Sequence, residues 1–491
     1  MAFCPDILRS KLQQDVLSNQ KKSPLALYRL SVLERTILKK YIPTTSAHAL
    51  HTDAISSFID RNERLGDKFI VLDKRRDLFK DWQNRIYDTM MTEPYQASVL
   101  NLNQCFLLGR PGPGATRGTR HTDFYRKMWT SNYTYTNDLL ATHYESSLSD
   151  RWAQASLLRR EGFTDRQVYG SSLTSVPKDS SKNRCICTEP SINMFYQLGA
   201  HEIISQVLKR HFKLDISVQP EINKQAARLG SINGSNATID LSDASDHIHY
   251  DLVRQLLPPE VFRVLDVLRS PGFSVDGVDR KFNMISSMGN GFTFALMTYL
   301  IVTLLDVFLN TYGSRYTPLR DGVFGDDIIL PSYLANEFIE VLSDFGFKVN
   351  IDKSFITGPF RESCGGDYYL GHDVRGIYIK GVNNEAETYS AFNRLVVWSI
   401  KHGIYLDNVL LYLKGLVDFR PVPLGESDTS GFRVPYWYTT SRKHDNNGAV
   451  YYRPLVAVAA TYRLGDKSRN PFGAYISALG GYVRGHTVSY R

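Results

Sequence analysis

Val323-Phe324-Gly325-Asp326-Asp327-Ile328-Ile329-Leu330 sets two adjacent carboxylates between two short, apolar, β-prone runs. The pattern predicts a tight hairpin: strand, Gly-Asp-Asp turn, strand. Both flanking runs ask to be buried, yet the turn carries two charges that need solvent or a cation. Hard divalent cations prefer such oxygen ligands, and Mg²⁺ uses one or two carboxylates plus substrate phosphates. Taken alone, the tripeptide is explained as well by an ordinary Asx-type turn. A second acidic element upstream gives it weight.

That element is Ala237-Thr-Ile-Asp-Leu-Ser-Asp-Ala-Ser-Asp246. Thr238-Ile239 reads as the end of a strand, and His247 to Leu257 as a helix stopped by Pro258-Pro259. Asp240 then falls at the strand end, with Asp243 and Asp246 at the start of the helix. An acidic N-cap explains Asp243 or Asp246. It does not explain Asp240. Between the two acidic elements runs Ser286-Ser-Met-Gly-Asn-Gly-Phe-Thr293, rich in glycine and hydroxyls. Small residues there let backbone approach a ligand closely, or simply make a flexible cap. The loop launches the apolar stretch Phe292–Leu309, whose Asp306 and threonines predict a buried core helix rather than a membrane span. Leu334 to Phe345 has helical apolar spacing and stops at Gly346, before Lys348 and Lys353.

Lys plus Arg number 58 against 50 Asp plus Glu, a formal charge of +8, which suits a polyanionic partner. Two loops concentrate the cations. Val176 to Pro190 carries Lys178, Lys182 and Arg184, either to meet a triphosphate or to be solvated. Gly109 to Gly118 is a Gly/Pro loop with Arg110 and Arg117, followed by Arg120, His121, Arg126 and Lys127. It lacks the Gly-Lys-Ser/Thr ending of a P-loop. Its amides and arginines suit phosphates; a plain mobile loop is the alternative. Near the C-terminus Arg433, Tyr436, Trp437, Tyr438, Arg442, Lys443, Tyr451, Tyr452 and Arg453 interleave cations with rings. That composition suits single-stranded nucleic acid, or an aromatic core with solvated charges. Residues 1 to about 100 read as amphipathic helices with a scaffolding role. Met1 to Gln20 alternates apolar and polar residues, so no signal peptide is expected. Five cysteines without zinc spacing predict packing residues in a reducing compartment.

A strand-end Asp, a hairpin Asp-Asp, a basic loop and a Gly/Ser loop in this order suit two-metal nucleotidyl transfer. Two cations about 4 Å apart would stabilise the attacking and leaving oxygens. Their carboxylates must come from separate backbone elements, and without metal they raise each other's pKa. Cations on the opposite wall would hold the triphosphate.

The sequence closely resembles the replicase catalytic (β) subunit of the small positive-strand RNA bacteriophages, the leviviruses. The residues that carry the resemblance are Ala237 to Asp246, Ile285-Ser-Ser-Met-Gly-Asn-Gly-Phe-Thr-Phe294, Phe324-Gly-Asp-Asp-Ile-Ile-Leu-Pro331 and Gly358-Pro-Phe-Arg-Glu-Ser-Cys-Gly365. Val176-Pro-Lys and Cys187-x-Glu-Pro190 also fit, and the similarity runs from about residue 105 to 375. The resemblance implies an α+β, right-handed polymerase fold of fingers, palm and thumb, with an antiparallel palm sheet flanked by helices. It implies an N-terminal region and fingers over 1–235, palm over 236–261, a fingers insertion over 262–284, more palm over 285–378, and thumb with C-terminal region over 379–491. RNA-directed RNA synthesis is the implied activity, primer-independent, with two Mg²⁺ ions that Mn²⁺ can replace.

Carried over by motif, Asp240, Asp326 and Asp327 are the metal-binding catalytic carboxylates, and Lys353 is a candidate proton donor to pyrophosphate. Asp246 matches the acid that reads the ribose 2′-hydroxyl. Lys178 and Arg184 match basic positions near the triphosphate, and Ser286, Asn290 and Thr293 match the loop that positions template and nucleotide. Arg110, Arg117, Arg120, Gly289, Arg442 and Lys443 are expected at the RNA. Asp243 stands where a relative has a small apolar residue and is expected to cap the helix. Lys182 has no clean counterpart. Many polymerase families keep an Asn a few residues after the Thr equivalent to Thr293; here Met297 and Thr298 stand instead, leaving Asn290 for that work. The implied partners are a single-stranded RNA template, ribonucleoside triphosphates, the host factors EF-Tu and EF-Ts and a ribosomal small-subunit protein. No membrane is expected, and the implied location is the bacterial host cytoplasm. Alternatives are a capsidless narnavirus- or mitovirus-like replicase and a catalytically idle RNA-binding protein. Gly325 argues against a reverse transcriptase.

Overall fold

A computed structural model describes residues 3–41, 47–92, 97–318, 320–439, 452–459, 470–479 and 488–490. Arg442 and Lys443 lie outside the described residues. The helices α1 (Pro5–Ser18), α2 (Pro24–Thr36), α3 (Ala47–Arg64) and α4 (Arg76–Met90) come first, as the amphipathic spacing predicts. Strands β1 (Ser171–Pro177) and β2 (Asn183–Thr188) then form a hairpin, followed by α5 (Ser191–Phe212) and α6 (Gln219–Asn233). Next come β3 (Asn236–Asp240), β4 (Gly272–Val275), β5 (Val278–Lys281) and α7 (Thr293–Thr311). The Gly-Asp-Asp hairpin is β6 (Gly322–Phe324) and β7 (Asp327–Pro331), and α8 (Ala335–Asp344) follows it. A second hairpin, β8 (Phe360–Ser363) and β9 (Gly366–Tyr369), precedes α9 (Glu385–His402) and α10 (Asp407–Lys414).

Two sheets frame the molecule, and each joins segments far apart in sequence. One is antiparallel in the order β6-β7-β3, with Asp327 opposite Asp240 and Ile328 opposite Ile239. Isolated bridges Leu241–Val349 and Thr238–Phe355 continue it on the far side of β3. The other has the order β2-β1-β4-β5; β1 and β4 run parallel, with Ser171 opposite Phe273. Its inner face packs Leu173, Cys185, Cys187, Phe273 and Phe282 against Ile55 and Phe58 of α3.

The largest core is organised around α7. This is the one helix among the described residues long and apolar enough to cross a membrane, and 78 % of its apolar window is buried inside the protein. A helix apolar on all sides must be wrapped on all sides. Leu296, Tyr299, Leu300 and Leu304 are almost wholly enclosed, and α4, α5 and the hairpin strands supply the walls. Its few polar groups are paired inside: Thr303 Oγ1 accepts a hydrogen bond from Trp82 at 2.8 Å, and Asp306 pairs with Arg85 at 2.7 Å. A second core joins the N-terminal helices to residues 377–413. Leu8, Leu30, Leu33 and Ile37 of the first helices pack with Ile379, Leu395, Ile404 and Leu413.

The helix expected over 247–257 is broken in two. A 3₁₀ turn spans Ala244–His247, Ile248 is extended, and the α-helix begins at Tyr250. The break occurs because Ile248 gives its carbonyl to Ile285 at 2.9 Å, tying this segment to the start of the Gly/Ser loop. Asp243 does not cap the helix. It sits in the left-handed region at φ +46°, makes no side-chain cap bond, and faces Arg61 at 3.7 Å.

Candidate active site

The hairpin tip is shaped by sterics. Gly325 adopts φ +61°, and a Cβ there would lie 2.6 Å from the Phe294 ring. Only glycine fits both constraints. Its N–H donates to Thr298 Oγ1 at 3.0 Å, and that hydroxyl donates in turn to the Phe294 carbonyl at 2.8 Å. The first turns of α7 therefore hold the tip. Thr298, a departure from the family pattern in sequence, takes its task from this packing.

The register then assembles the carboxylates. Asp240 and Asp327 face each other across β3 and β7, and the Asp326 carbonyl accepts the Leu241 N–H at 3.2 Å. The segment after α8 closes the third side. Asn350 Nδ2 donates to Asp240 at 2.7 Å, and Lys353 Nζ stands 3.7 Å from the same carboxylate. Burial raises the Asp240 pKa, with Lys353 opposing and Asp326 adding to the rise. Asp327 is pushed up to about 7, first by burial and then by Asp326. Burial works against the Lys353 charge, but Asp240, Glu362, Asp327 and Asp326 outweigh it and raise its pKa. Crowded, half-buried carboxylates with too little positive charge nearby are a donor set that a hard divalent cation would relieve. Among the described residues, no three acidic, His or Cys side chains form a ready-made chelate.

Asp246 is brought to the edge of this region but is not free. It is 7 % exposed, and Arg61 of α3 reaches it at 2.9 Å, with Ser245 also donating. Burial raises its pKa and Arg61 pulls it down. No sequence signal pointed to Arg61, because the pairing spans the whole distance from α3.

The Ser286 to Thr293 loop is stitched into the protein. Thr293 Oγ1 donates to Ser286 Oγ at 2.7 Å. Gly289 adopts φ +108°, and a Cβ there would sit 2.2 Å from the Cys187 carbonyl oxygen, so both the backbone angle and the space call for glycine. Cys187 N–H donates to the Met288 carbonyl, and Gly291 N–H to Gln197 Oε1. Gln197 and Ser270 both donate to the buried Glu189. Burial raises the Glu189 pKa, and these donors counter it. Asn290 Oδ1 accepts from Phe292 N–H in a tight turn just ahead of α7. Ser287 Oγ and Asn290 Nδ2 stay buried without hydrogen-bond partners; Asn290 is close enough to Glu189 to favour its charge but not aligned to bond it.

The basic positions divide. Lys178 and Arg184 flank the tip of the β1–β2 hairpin and are exposed. Asp179 closes that tip by accepting from Ser181 and Lys182. Arg110 is exposed beside Glu202, and Arg120 is exposed. Arg117 is engaged within the protein: its guanidinium bonds the Gly170 carbonyl at 2.5 Å and Ser274 Oγ at 3.2 Å. The Gly/Pro loop is not a phosphate cradle either. Its carbonyls at Pro111, Gly112 and Gly114 turn toward the buried Lys127 Nζ at 2.5–2.9 Å.

Known proteins share this sequence and this fold. A family model described as RNA replicase, beta-chain, matches residues 130–448. The RNA-directed RNA polymerase beta chain of Escherichia phage MS2 is 39 % identical over 254 residues, 52 % of this chain and 46 % of that protein. The RNA-directed RNA polymerase subunit beta of Escherichia virus Qbeta is 42 % identical over 329 residues, 64 % of this chain and 53 % of that one. The chain spans about half the length of the curated relatives it matches. A crystal structure of the RNA-dependent RNA polymerase of a human picorbirnavirus shares the fold at TM-score 0.50 and 13 % identity, over 84 % of this chain and 82 % of that one. With the family model spanning most of its length, and the carboxylate-bearing sheet inside the matched region, this chain belongs to the RNA replicase beta-chain family.

Proposed function

We propose that the chain is a viral RNA-dependent RNA polymerase that copies single-stranded RNA from ribonucleoside triphosphates without a primer. One observation carries the reading: β3 and β7 oppose Asp240 and Asp327 in register, Asp326 adjoins them at the turn, and Lys353 stands 3.7 Å from Asp240. Asp240, Asp326 and Asp327 would hold two Mg²⁺ ions, or Mn²⁺ in their place. Bound there, the ions would lower the charge on the attacking 3′-oxygen and the departing pyrophosphate. Lys353, kept protonated by its acidic neighbours, has a proton to give the leaving group. Lys178 and Arg184 provide exposed charge for the triphosphate. Asp246, aimed by Arg61, serves the ribose 2′-hydroxyl. Ser286, Asn290 and Thr293 hold the Gly/Ser loop that would position template and nucleotide.

The β6-β7-β3 sheet is the palm, and the β2-β1-β4-β5 sheet belongs to the fingers. The core that residues 8–38 share with residues 377–413 supports grouping the N-terminal helices with the thumb. Host EF-Tu, EF-Ts and a ribosomal small-subunit protein are the proposed partners, in the bacterial cytoplasm; kinship with phage replicases supports this. The test is template-directed incorporation of labelled ribonucleotides with Mg²⁺, with and without bacterial extract, comparing wild type and Asp326→Asn. Activity in wild type alone is expected. Equal activity in both, or a preference for deoxyribonucleotides, overturns the reading.

A further inference from the structure

Behind the Gly-Asp-Asp hairpin a line of buried polar side chains runs from α6 to Asp327, and nothing in the polymerase reading uses it. Gln219 and Asn223 lie one turn apart on α6, and neither is exposed to solvent. Gln219 Nε2 donates to Asn223 Oδ1 at 2.9 Å. Asn223 Nδ2 donates to Ser363 Oγ at 3.4 Å, and Ser363 Oγ donates to Asp327 Oδ1 at 3.4 Å. Each donor fixes the direction of the next. Asn223 fills an acceptor site on the Ser363 oxygen with an N–H, and the serine proton is left two acceptors, the Asp327 carboxylate at 3.4 Å and the softer Cys364 Sγ at 3.8 Å; the charged carboxylate is the stronger of the two.

The turn that carries Ser363 is built for the same contact. Ser363 pairs with Gly366, and the two residues between them, Cys364 and Gly365, are left-handed at φ +48° and +76°. Such a turn usually begins with Asn, Asp or Gly. Here a cysteine takes the strained position, and its backbone N–H reaches the Asp327 carboxylate. Strain at a non-glycine residue persists only where the surroundings fix it. Asn223 also fixes the neighbouring strand: a Cβ on Gly322 would lie 2.3 Å from Asn223 Oδ1, so β6 rests directly on this amide.

We propose that Ser363, braced by Asn223 and Gln219, is the positioning residue for Asp327, holding its carboxylate in the orientation that takes a divalent cation. The inference rests on the polymerase reading for what the cation does, but its first test needs no catalysis. Groups that orient a metal-binding carboxylate typically govern affinity by tenfold or more. Mn²⁺ binding by the full chain, followed through loss of the free-ion electron paramagnetic resonance signal, is compared for wild type, Ser363→Ala, Ser363→Cys and Ser363→Thr. Cysteine keeps the volume and loses the strong donor; threonine keeps the hydroxyl. We expect roughly tenfold weaker binding in the alanine and cysteine variants and recovery in the threonine variant. The Mg²⁺ concentration for half-maximal ribonucleotide incorporation should shift by the same factor, while the KM for nucleotide at saturating Mg²⁺ and the Kd for RNA stay at wild-type values. Wild-type Mn²⁺ affinity in a folded Ser363→Ala or Ser363→Cys protein overturns the proposal, as does a threonine variant no better than alanine. A wild-type chain that shows the Ser363-dependent Mn²⁺ affinity but incorporates no ribonucleotide overturns the polymerase reading and supports this one.

Discussion

Asp327 is costly to the fold at the very place where the proposed cations would bind. Its carboxyl titrates near 7 in the folded chain, because burial and Asp326 both oppose the charge, against an ordinary value of 3.8. Between those pH values the metal-free folded state binds more protons than the unfolded state. Stability from this group is therefore present below the unfolded pKa and is lost as pH rises toward 7. Replacing the carboxylate by an amide removes that dependence. The metal-free Asp327→Asn variant should gain thermal stability over wild type at pH 8 and little at pH 4. Mg²⁺ should raise the melting temperature of the wild type at pH 8 more than that of the variant. Thermal denaturation with and without Mg²⁺ checks both; parallel pH curves for the two proteins would remove the argument. At the same scale, the sequence singled out Asp240, Asp326, Asp327 and Lys353, and the fold brings all four together. Arg61 had no sequence signal, and Thr298 and Ser363 lay in or near family motifs without a task assigned, because their roles depend on what lies across from them.

Among the elements, the Gly109 to Gly118 loop departs most from its sequence reading. Glycines, prolines and arginines suggested a phosphate cradle, but the loop folds onto Lys127 from below. Burial pushes that ammonium down to about 8, and three backbone carbonyls receive it. Lysine is rarely buried unless paired, so the carbonyls are what make its position tenable. Lys127→Met keeps the stem and removes the donor. It should cost roughly 2–4 kcal/mol, since several buried acceptors lose their partner. Chemical denaturation measures that loss, and faster protease cleavage within residues 109–118 should accompany it; an unchanged midpoint would show that the loop holds without Lys127. The hairpin and α7, in contrast, were readable as elements. An Asp-Asp between β-prone runs and an unbroken apolar helix have few alternatives. The break at Ile248 was not readable, because it answers a hydrogen bond to Ile285, contributed from beyond the β4–β5 strands.

For the whole molecule, the joining of the N-terminal helices to residues 377–413 matters most. Amphipathic α1 and α2 gave no hint of their destination, yet they cover Ile379, Leu395, Ile404 and Leu413. The same segment touches the tip of the β1–β2 hairpin, where Ser180 N–H donates to the Lys39 carbonyl at 3.0 Å. Deleting residues 1–41 should uncover that apolar face, so the truncated chain is expected to aggregate or to lose a cooperative unfolding transition. Size-exclusion chromatography and calorimetry distinguish this from the alternative, a monomer that melts like the full chain. Such a monomer would mean that the C-terminal helices are stable alone.

The sequence by itself determined the chemistry that is local to a few residues: which carboxylates sit at a strand end and a turn, which helix must be buried, and where glycine is obligatory. These follow from short-range periodicity and from sterics, which a linear pattern records directly. Tertiary structure alone decided which groups complete the site. The opposition of Asp240 and Asp327, the approach of Lys353, and the bracing by Thr298, Arg61 and Ser363 each join segments separated by long stretches of chain. A strand's register and a buried polar group's partner are set by whichever distant surface packs against them, and spacing along the chain does not encode that surface.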